Sequence, residues 1–385
     1  LQNEGRLLSG GSDRSSPVLR VETHISVVLI GPDLVFKYKK LVDFPFITQG
    51  TPEMQLQHCR AEVELNRDLA PDVYVGVFDL VYEQGKLALI EWKGGRAECP
   101  GVLMHRLPEE RSLRALVQKP DFQNEASELI PLLAEKLAIF HHRRNRQKIT
   151  ASQFIKNYND NLPLLAGSPA VSPDLLKKLS GLLEHYQPSI LRRSRAGHVV
   201  QGHGDLRLDH VYFLEGRPTV IDCIEFNPDL SLVDPYEDLA FLTLGLRMEH
   251  QHEMARQLGV SYASFALDAG GYNLLPLFEI YRACVRIKID IIQSQTADAL
   301  RQAELSERIT RYVQLIERLL ADEKQAADRR IHVFYGLPAT GKSTRALLSS
   351  HSEGLPVVST DRLRKKMIGL DARERASTAN YSAAW

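Results

Sequence analysis

The sequence predicts an α+β chain of two lobes, followed by the start of an α/β unit of a different kind. Three patterns carry this. Residues 21–102 read as antiparallel strands with a single helix, 103–322 are dominated by helical periodicity, and a strand, a glycine loop and a helix begin at Ile331. With 385 residues the chain is long enough for two or three domains.

In chain order, residues 1–20 are rich in Gly, Ser and Arg and are expected to be loose. Runs 24–30 and 34–39 flank Gly31-Pro32-Asp33, which reads as a hairpin. A helix is expected over 52–69, ending before Pro71, and strands over 73–81 and 86–91. After Val102 the character changes. Region 124–142 places Ile130, Leu133, Leu137 and Phe140 on one helical face, and further helices are expected over 236–246, 274–293 and 299–324. Residues 323–330 form a charged linker before the unit at 331–385. A sheet-rich small half and a helix-rich large half predict two lobes with a cleft between them.

Lys plus Arg and Asp plus Glu both number 48, so no overall field favours nucleic acid or an anionic membrane, and any phosphate-binding patch must be local. Cys59, Cys99, Cys223 and Cys284 are far apart and form no CxxC pair, which points to a reducing, cytoplasmic setting. The first twenty residues lack an apolar signal core, and 25–30 is too short an apolar run to span a bilayer. The chain opens on Leu1 rather than Met, as expected of a fragment or processed form.

The most informative stretch is Gln201-Gly202-His203-Gly204-Asp205-Leu206-Arg207-Leu208-Asp209-His210. Runs 211–214 and 218–221 follow it around Glu215-Gly216-Arg217, the pattern of a second hairpin. Centred on Gly216, that hairpin pairs position 210 with 222 and returns Asp222 to the loop carrying Asp205 and His210. Phosphoryl transfer needs such a meeting: one carboxylate for the attacking hydroxyl and another for the metal on the nucleotide phosphates. Asp238, which opens a later helix, is expected to hold that loop through its backbone amides.

His203-Gly204-Asp205-Leu206 followed by Ile221-Asp222 resembles the aminoglycoside phosphotransferase and choline kinase group, relatives of the protein kinases in fold. The resemblance covers about residues 20 to 320. It implies a two-lobed, protein-kinase-like fold and transfer of phosphate from ATP to a hydroxyl of a small molecule, with Mg²⁺ or Mn²⁺. Asp205 then takes the place of the catalytic aspartate and Asp222 that of the metal-binding aspartate. Arg207 lies where it can neutralise charge on the transferring group, with a plain surface arginine as the alternative. Lys37 matches the strand lysine that holds nucleotide phosphates, with Glu62 preferred to Glu64 as its acidic partner and Lys39 or Lys40 as alternatives to Lys37. ATP is expected near Leu103-Met104-His105.

Two departures stand out. No Gly-x-Gly-x-x-Gly loop precedes Lys37, and His210 stands where the family keeps an Asn. An imidazole is a softer ligand than an amide oxygen and suits Mn²⁺ better; Asp209 is the alternative oxygen donor. The substitution keeps a second reading open, a nucleotide-binding regulatory module without transferase activity.

Gly336-Leu337-Pro338-Ala339-Thr340-Gly341-Lys342-Ser343 fits the P-loop pattern without mismatch. Backbone amides from Gly336 to Gly341 would cradle phosphates, Lys342 would reach them, Ser343 would face Mg²⁺, and Thr344 completes the nucleotide-binding positions. A first strand is expected at 331–335 and a second at 355–360. Only 55 residues, 331–385, are present, so this unit is expected to be truncated and to bind phosphate without turnover. The pairing of both units resembles a bifunctional family that joins an aminoglycoside-phosphotransferase-like domain to a P-loop ATP-binding domain.

Overall fold

Six antiparallel strands form the main sheet, in the spatial order Leu19–Glu22, Ser26–Ile30, Leu34–Lys39, Pro100–His105, Tyr74–Glu83 and Lys86–Glu91. The structure is a computed structural model that describes residues 18–23, 25–44, 47–83, 86–144, 146–147, 152–325, 331–337 and 339–368. The chain divides into two units. The first comprises Leu1–Glu125, Arg143–Ile149 and Ala196–Leu242, and the second Ala126–His142, Thr150–Arg195 and Thr243–Trp385.

In the first unit, period-two alternation sorts the strand Leu34–Lys39. Phe36 faces a core of Phe78, Leu89 and Leu103, flanked by Leu34 and Tyr38. Lys37 and Lys39 therefore point to the opposite face. Helix Pro52–Asn66 lies against that face and is started by the Thr51 hydroxyl, which accepts from the Met54 N–H at 3.2 Å, with Pro52 in the first turn. Its buried stripe is Gln55, Cys59, Glu62, Leu65 and Asn66, at helical spacing yet mostly polar. The two lysines dictate that polarity.

Leu19–Glu22 extends the sheet where a loose segment was expected, and the strand Pro100–His105 runs across the expected division at 102. The hairpin Val211–Leu214/Arg217–Val220 differs from the sequence-based register by one residue. Leu214 pairs with Arg217 and Val211 with Val220, so His210 lies opposite Ile221 rather than Asp222. The reason is the turn. Glu215 and Gly216 both adopt positive φ, 49° and 74°, making a two-residue turn centred between them.

The second unit is helical, with Ser152–Leu165, Pro173–Arg195, His252–Ala266, Leu275–Ser294 and Ala299–Gln325 as its main described helices. Ion pairs fix them. Arg308 grips the buried Asp290 with two bonds of 2.5 and 2.7 Å, and Arg193 grips Asp268 with two of 2.9 and 2.8 Å. Among the described residues no helix is long and apolar enough to cross a membrane.

The expected strands at 331–335 and 355–360 are not formed. No described strand offers either of them a ladder, and Ile331, Val333 and Tyr335 are 89%, 75% and 90% exposed. Among the described residues of this region no strand of an α/β sheet forms. Its helices do form, Lys342–Glu353 after Gly341 and Thr360–Met367 from the end of the second expected strand.

Candidate active site

Lys37 is the hub of a charge cluster in the first unit. Its Nζ donates to Glu62 Oε1 at 3.0 Å and to Asp222 Oδ1 at 2.5 Å. Glu62 Oε2 accepts from Lys39 Nζ at 2.5 Å, and Lys39 also donates to Glu225. Glu62 and Lys39 are buried, whereas Glu64 is exposed. Desolvation opposes the charge on Lys37, but Asp222 and Glu62 outweigh it and hold the ammonium well above the ordinary lysine range. Desolvation likewise opposes ionisation of Asp222, and Lys37 and His210 override it, keeping the carboxyl far below its ordinary value. Glu62 is held low by Lys37 and Lys39 against the same desolvation.

Asp222 leaves the hairpin in a left-handed conformation, φ 70°, and its N–H donates to the Tyr74 hydroxyl at 3.0 Å. That turn brings the carboxylate to the cluster although the ladder register does not predict it. One residue on, the Cys223 N–H donates to Asn66 Oδ1 at 3.0 Å, and Asn66 Nδ2 donates back to the Glu62 carbonyl at 2.8 Å.

The loop 202–210 is held from beneath by Asp238, which is fully buried. Its Oδ2 accepts from the His203 N–H at 2.6 Å and its Oδ1 from the Gly204 N–H at 2.9 Å. Gly202 permits that approach, since a Cβ there would sit 2.6 Å from Asp238 Oδ2. His203 is also buried. Its Nδ1 accepts from the Asp205 N–H at 3.3 Å, so Nε2 carries the proton and donates to the Ile221 carbonyl at 2.8 Å. Desolvation lowers its pKa and keeps the ring neutral.

His210 stands between the two aspartates. Its Nδ1–H donates to the Asp205 carbonyl at 2.8 Å, and Nε2 lies 3.6 Å from Asp222 Oδ2. Arg207 donates through Nε to Asp205 Oδ2 at 2.9 Å and through Nη2 to His210 Nε2 at 3.1 Å. Asp209 is engaged elsewhere, with Arg114 Nε 3.2 Å away. The structure thus gathers Lys37, Glu62, Asp205, Arg207, His210 and Asp222 in one unit. Gly336, Gly341, Lys342, Ser343 and Thr344 form their own loop and helix start in the other. There Lys342 Nζ donates to the Leu337 carbonyl at 2.5 Å, and Gly336, Ala339 and Gly341 take φ of 146°, 63° and 79°.

The pair that would face a divalent cation is Asp222 Oδ2 and His210 Nε2, and that nitrogen already accepts from Arg207 Nη2 at 3.1 Å. One carboxylate oxygen and one imidazole nitrogen face each other there, and the described residues hold no cluster of three or more His, Cys, Asp or Glu able to complete a shell. Phosphates and water would have to supply the rest.

Sequence reasoning weighed Lys39 only as an alternative to Lys37 and gave Glu225, Tyr74 and Asn66 no role in the site. Alternation put Lys39 on the face of Lys37, but nothing in the spacing announced a second acid for it.

The sequence profile of the phosphotransferase enzyme family (APH) matches residues 47–272, a span that includes Glu62, Asp205, His210 and Asp222 but begins after Lys37. Uncharacterized proteins of Mycobacterium tuberculosis and Mycobacterium bovis are each 29% identical over 363 residues, which is 90% of this chain and 68% of theirs. Among solved structures, a glucosamine kinase superposes with a TM-score of 0.50 at 16% identity, over 82% of this chain and 80% of that one. A choline/ethanolamine kinase family protein from Mesorhizobium loti gives 0.48 at 14%, over 81% and 93%. The glucosamine kinase likeness is one of fold, a mixed α+β kinase-like architecture.

Proposed function

This chain belongs to the phosphotransferase enzyme family, and from that membership we propose that it moves the γ-phosphate of ATP onto a hydroxyl of a small molecule. The observation that supports this most is the meeting of Asp205, His210 and Asp222 beside Lys37. In this reading Asp205 orients the acceptor hydroxyl and receives its proton as the oxygen bonds to phosphorus and the bond to ADP breaks. Lys37 turns from Asp222 to the nucleotide phosphates. Asp222 and His210 would hold the divalent ion, Mg²⁺ or Mn²⁺, which supplies charge neutralisation on the phosphates. Arg207, bonded to Asp205, would donate to the oxygens of the transferring group.

A further part of the proposal concerns the loop at Gly336–Lys342, read as a second phosphate cradle. Its positive-φ backbone at Gly336, Ala339 and Gly341, ahead of helix Lys342–Glu353, favours this.

The test is Asp205→Ala, with a metabolite screen by thermal shift to find the acceptor. Transfer should fall by at least about 10³-fold while Mg–ATP binding in equilibrium dialysis stays intact. More than one nucleotide per chain would assign the excess to the glycine loop. Unchanged transfer would remove Asp205 from the chemistry. ATP binding by the unaltered protein without transfer in either Mg²⁺ or Mn²⁺ would make it a nucleotide-binding module instead.

A further inference from the structure

We propose that Lys39 and Glu225 are a positioning pair. They keep Glu62 charged and fixed, so that Lys37 can leave Asp222 for a nucleotide phosphate without Glu62 following it. The inference rests on the phosphotransferase reading and deepens it, because neither residue would touch the substrate.

The cluster has a solvent-facing end and a buried end. Asp222 and Lys37 have side chains 40% and 16% exposed, while Glu225, Glu62 and Lys39 are at 4%, 0% and 0%. Three carboxylates (Glu62, Asp222, Glu225) face two ammonium groups (Lys37, Lys39), so the lysines are shared. Glu62 spends one oxygen on each lysine. If Lys39 were absent, Lys37 would be the one remaining cation, among the described residues, paired with a fully buried carboxylate. A buried carboxylate stripped of its partner is strongly disfavoured, so Glu62 would hold Lys37 back from any phosphate. With Lys39 in place, Glu62 keeps a counter-charge whichever way Lys37 turns.

Glu225 in turn keeps Lys39 where it is. Backbone anchors lock the same three segments. Gln55 Nε2 donates to the Lys39 carbonyl at 2.9 Å, tying strand to helix, and the Cys223 N–H donates to Asn66 Oδ1 at 3.0 Å, tying the helix to the segment after Asp222. Lys39–Glu225 closes the triangle from strand to that segment directly. Cys223 and Glu225, which follow Asp222 in the chain, are held by these bonds, while the Asp222 side chain stays 40% exposed, where an incoming cation can reach it.

The experiment replaces both members together, Lys39→Met with Glu225→Gln, since exchanging a buried ion pair for neutral groups of similar size spares the fold more than removing one partner. Dissociation constants for Mg–ATP and for adenosine are measured on the folded protein, with melting temperature as the control. The expected result is an ATP affinity weakened by about tenfold with adenosine affinity unchanged, because only the phosphates call on Lys37. Unchanged ATP affinity overturns the proposal, and so does an equal loss for both ligands, which would mean general damage. If the double variant does not fold, Glu225→Gln alone is read the same way, with a smaller loss confined to ATP. Failure of the unaltered protein to bind ATP would instead sink the phosphotransferase reading.

Discussion

Asp222, proposed above to hold the divalent ion, adopts a backbone conformation that most side chains avoid, φ 70°. Asn and Asp tolerate that region better than other non-glycine residues, so Asp222→Asn should keep the turn and the N–H bond to Tyr74. It removes the charge that faces Lys37 and His210. The expected outcome is a native circular dichroism spectrum with transfer reduced by at least about 100-fold. A variant that keeps normal activity would show that Asp222 holds no metal. The sequence pointed to this residue through a hairpin whose register proves to be one position different. The motif spacing was legible because Asp205 and His210 lie in one short loop. The register was not, because it depends on the sign of φ at Glu215, a non-glycine position where positive φ is uncommon.

At the scale of elements, the strand carrying the lysines and its neighbour Pro100–His105 meet at a glycine. Tyr38 pairs with Gly101, and a Cβ there would lie 2.4 Å from the Phe36 ring and 2.8 Å from the Lys37 carbonyl. Gly101→Ala should therefore destabilise the protein by about 1–3 kcal/mol in chemical denaturation and weaken ATP binding by shifting Lys37. A midpoint and affinity equal to those of the parent would refute that. The hairpins and the helices over 124–142, 236–246, 274–293 and 299–324 were legible from alternation and helical periodicity, whereas Ser152–Leu165, Pro173–Arg195 and His252–Ala266 were not read, the first two being interrupted by Pro163 and Pro188. Helix Pro52–Asn66 was read from its pattern and the stop ahead of Pro71, three residues too long at its end, although its buried face is polar. The strand expected at 331–335 shows the opposite case. Its apolar residues have the right propensity, but a strand forms only where a neighbour accepts its hydrogen bonds.

For the molecule as a whole, net charge is zero, yet its buried charges make stability depend on pH. Burial lowers the pKa of His203 and of His58 below the free value of 6.5, so the unfolded chain binds more protons in that window. Their contribution is present above about pH 6.5 and is lost as pH falls toward the folded values. Glu62 and Asp222, both depressed, add a second loss at lower pH, beginning near their free values of 4.5 and 3.8. Scanning calorimetry from pH 8 to pH 3 should show the melting temperature falling in two stages. A flat profile between pH 8 and pH 5 would mean that the buried histidines do not titrate as their surroundings require.

One consequence of the bond between Lys37 and Asp222 concerns turnover. In the proposed site, a lysine that already has an anionic companion 2.5 Å away would trade one for another when nucleotide arrives, and the ligand would gain only the difference. The same trade runs backwards after the reaction. On the proposed reaction, Asp222 would reclaim the ammonium as ADP departs, so the enzyme's own side chain would help to displace the spent nucleotide and reset the catalyst for another cycle.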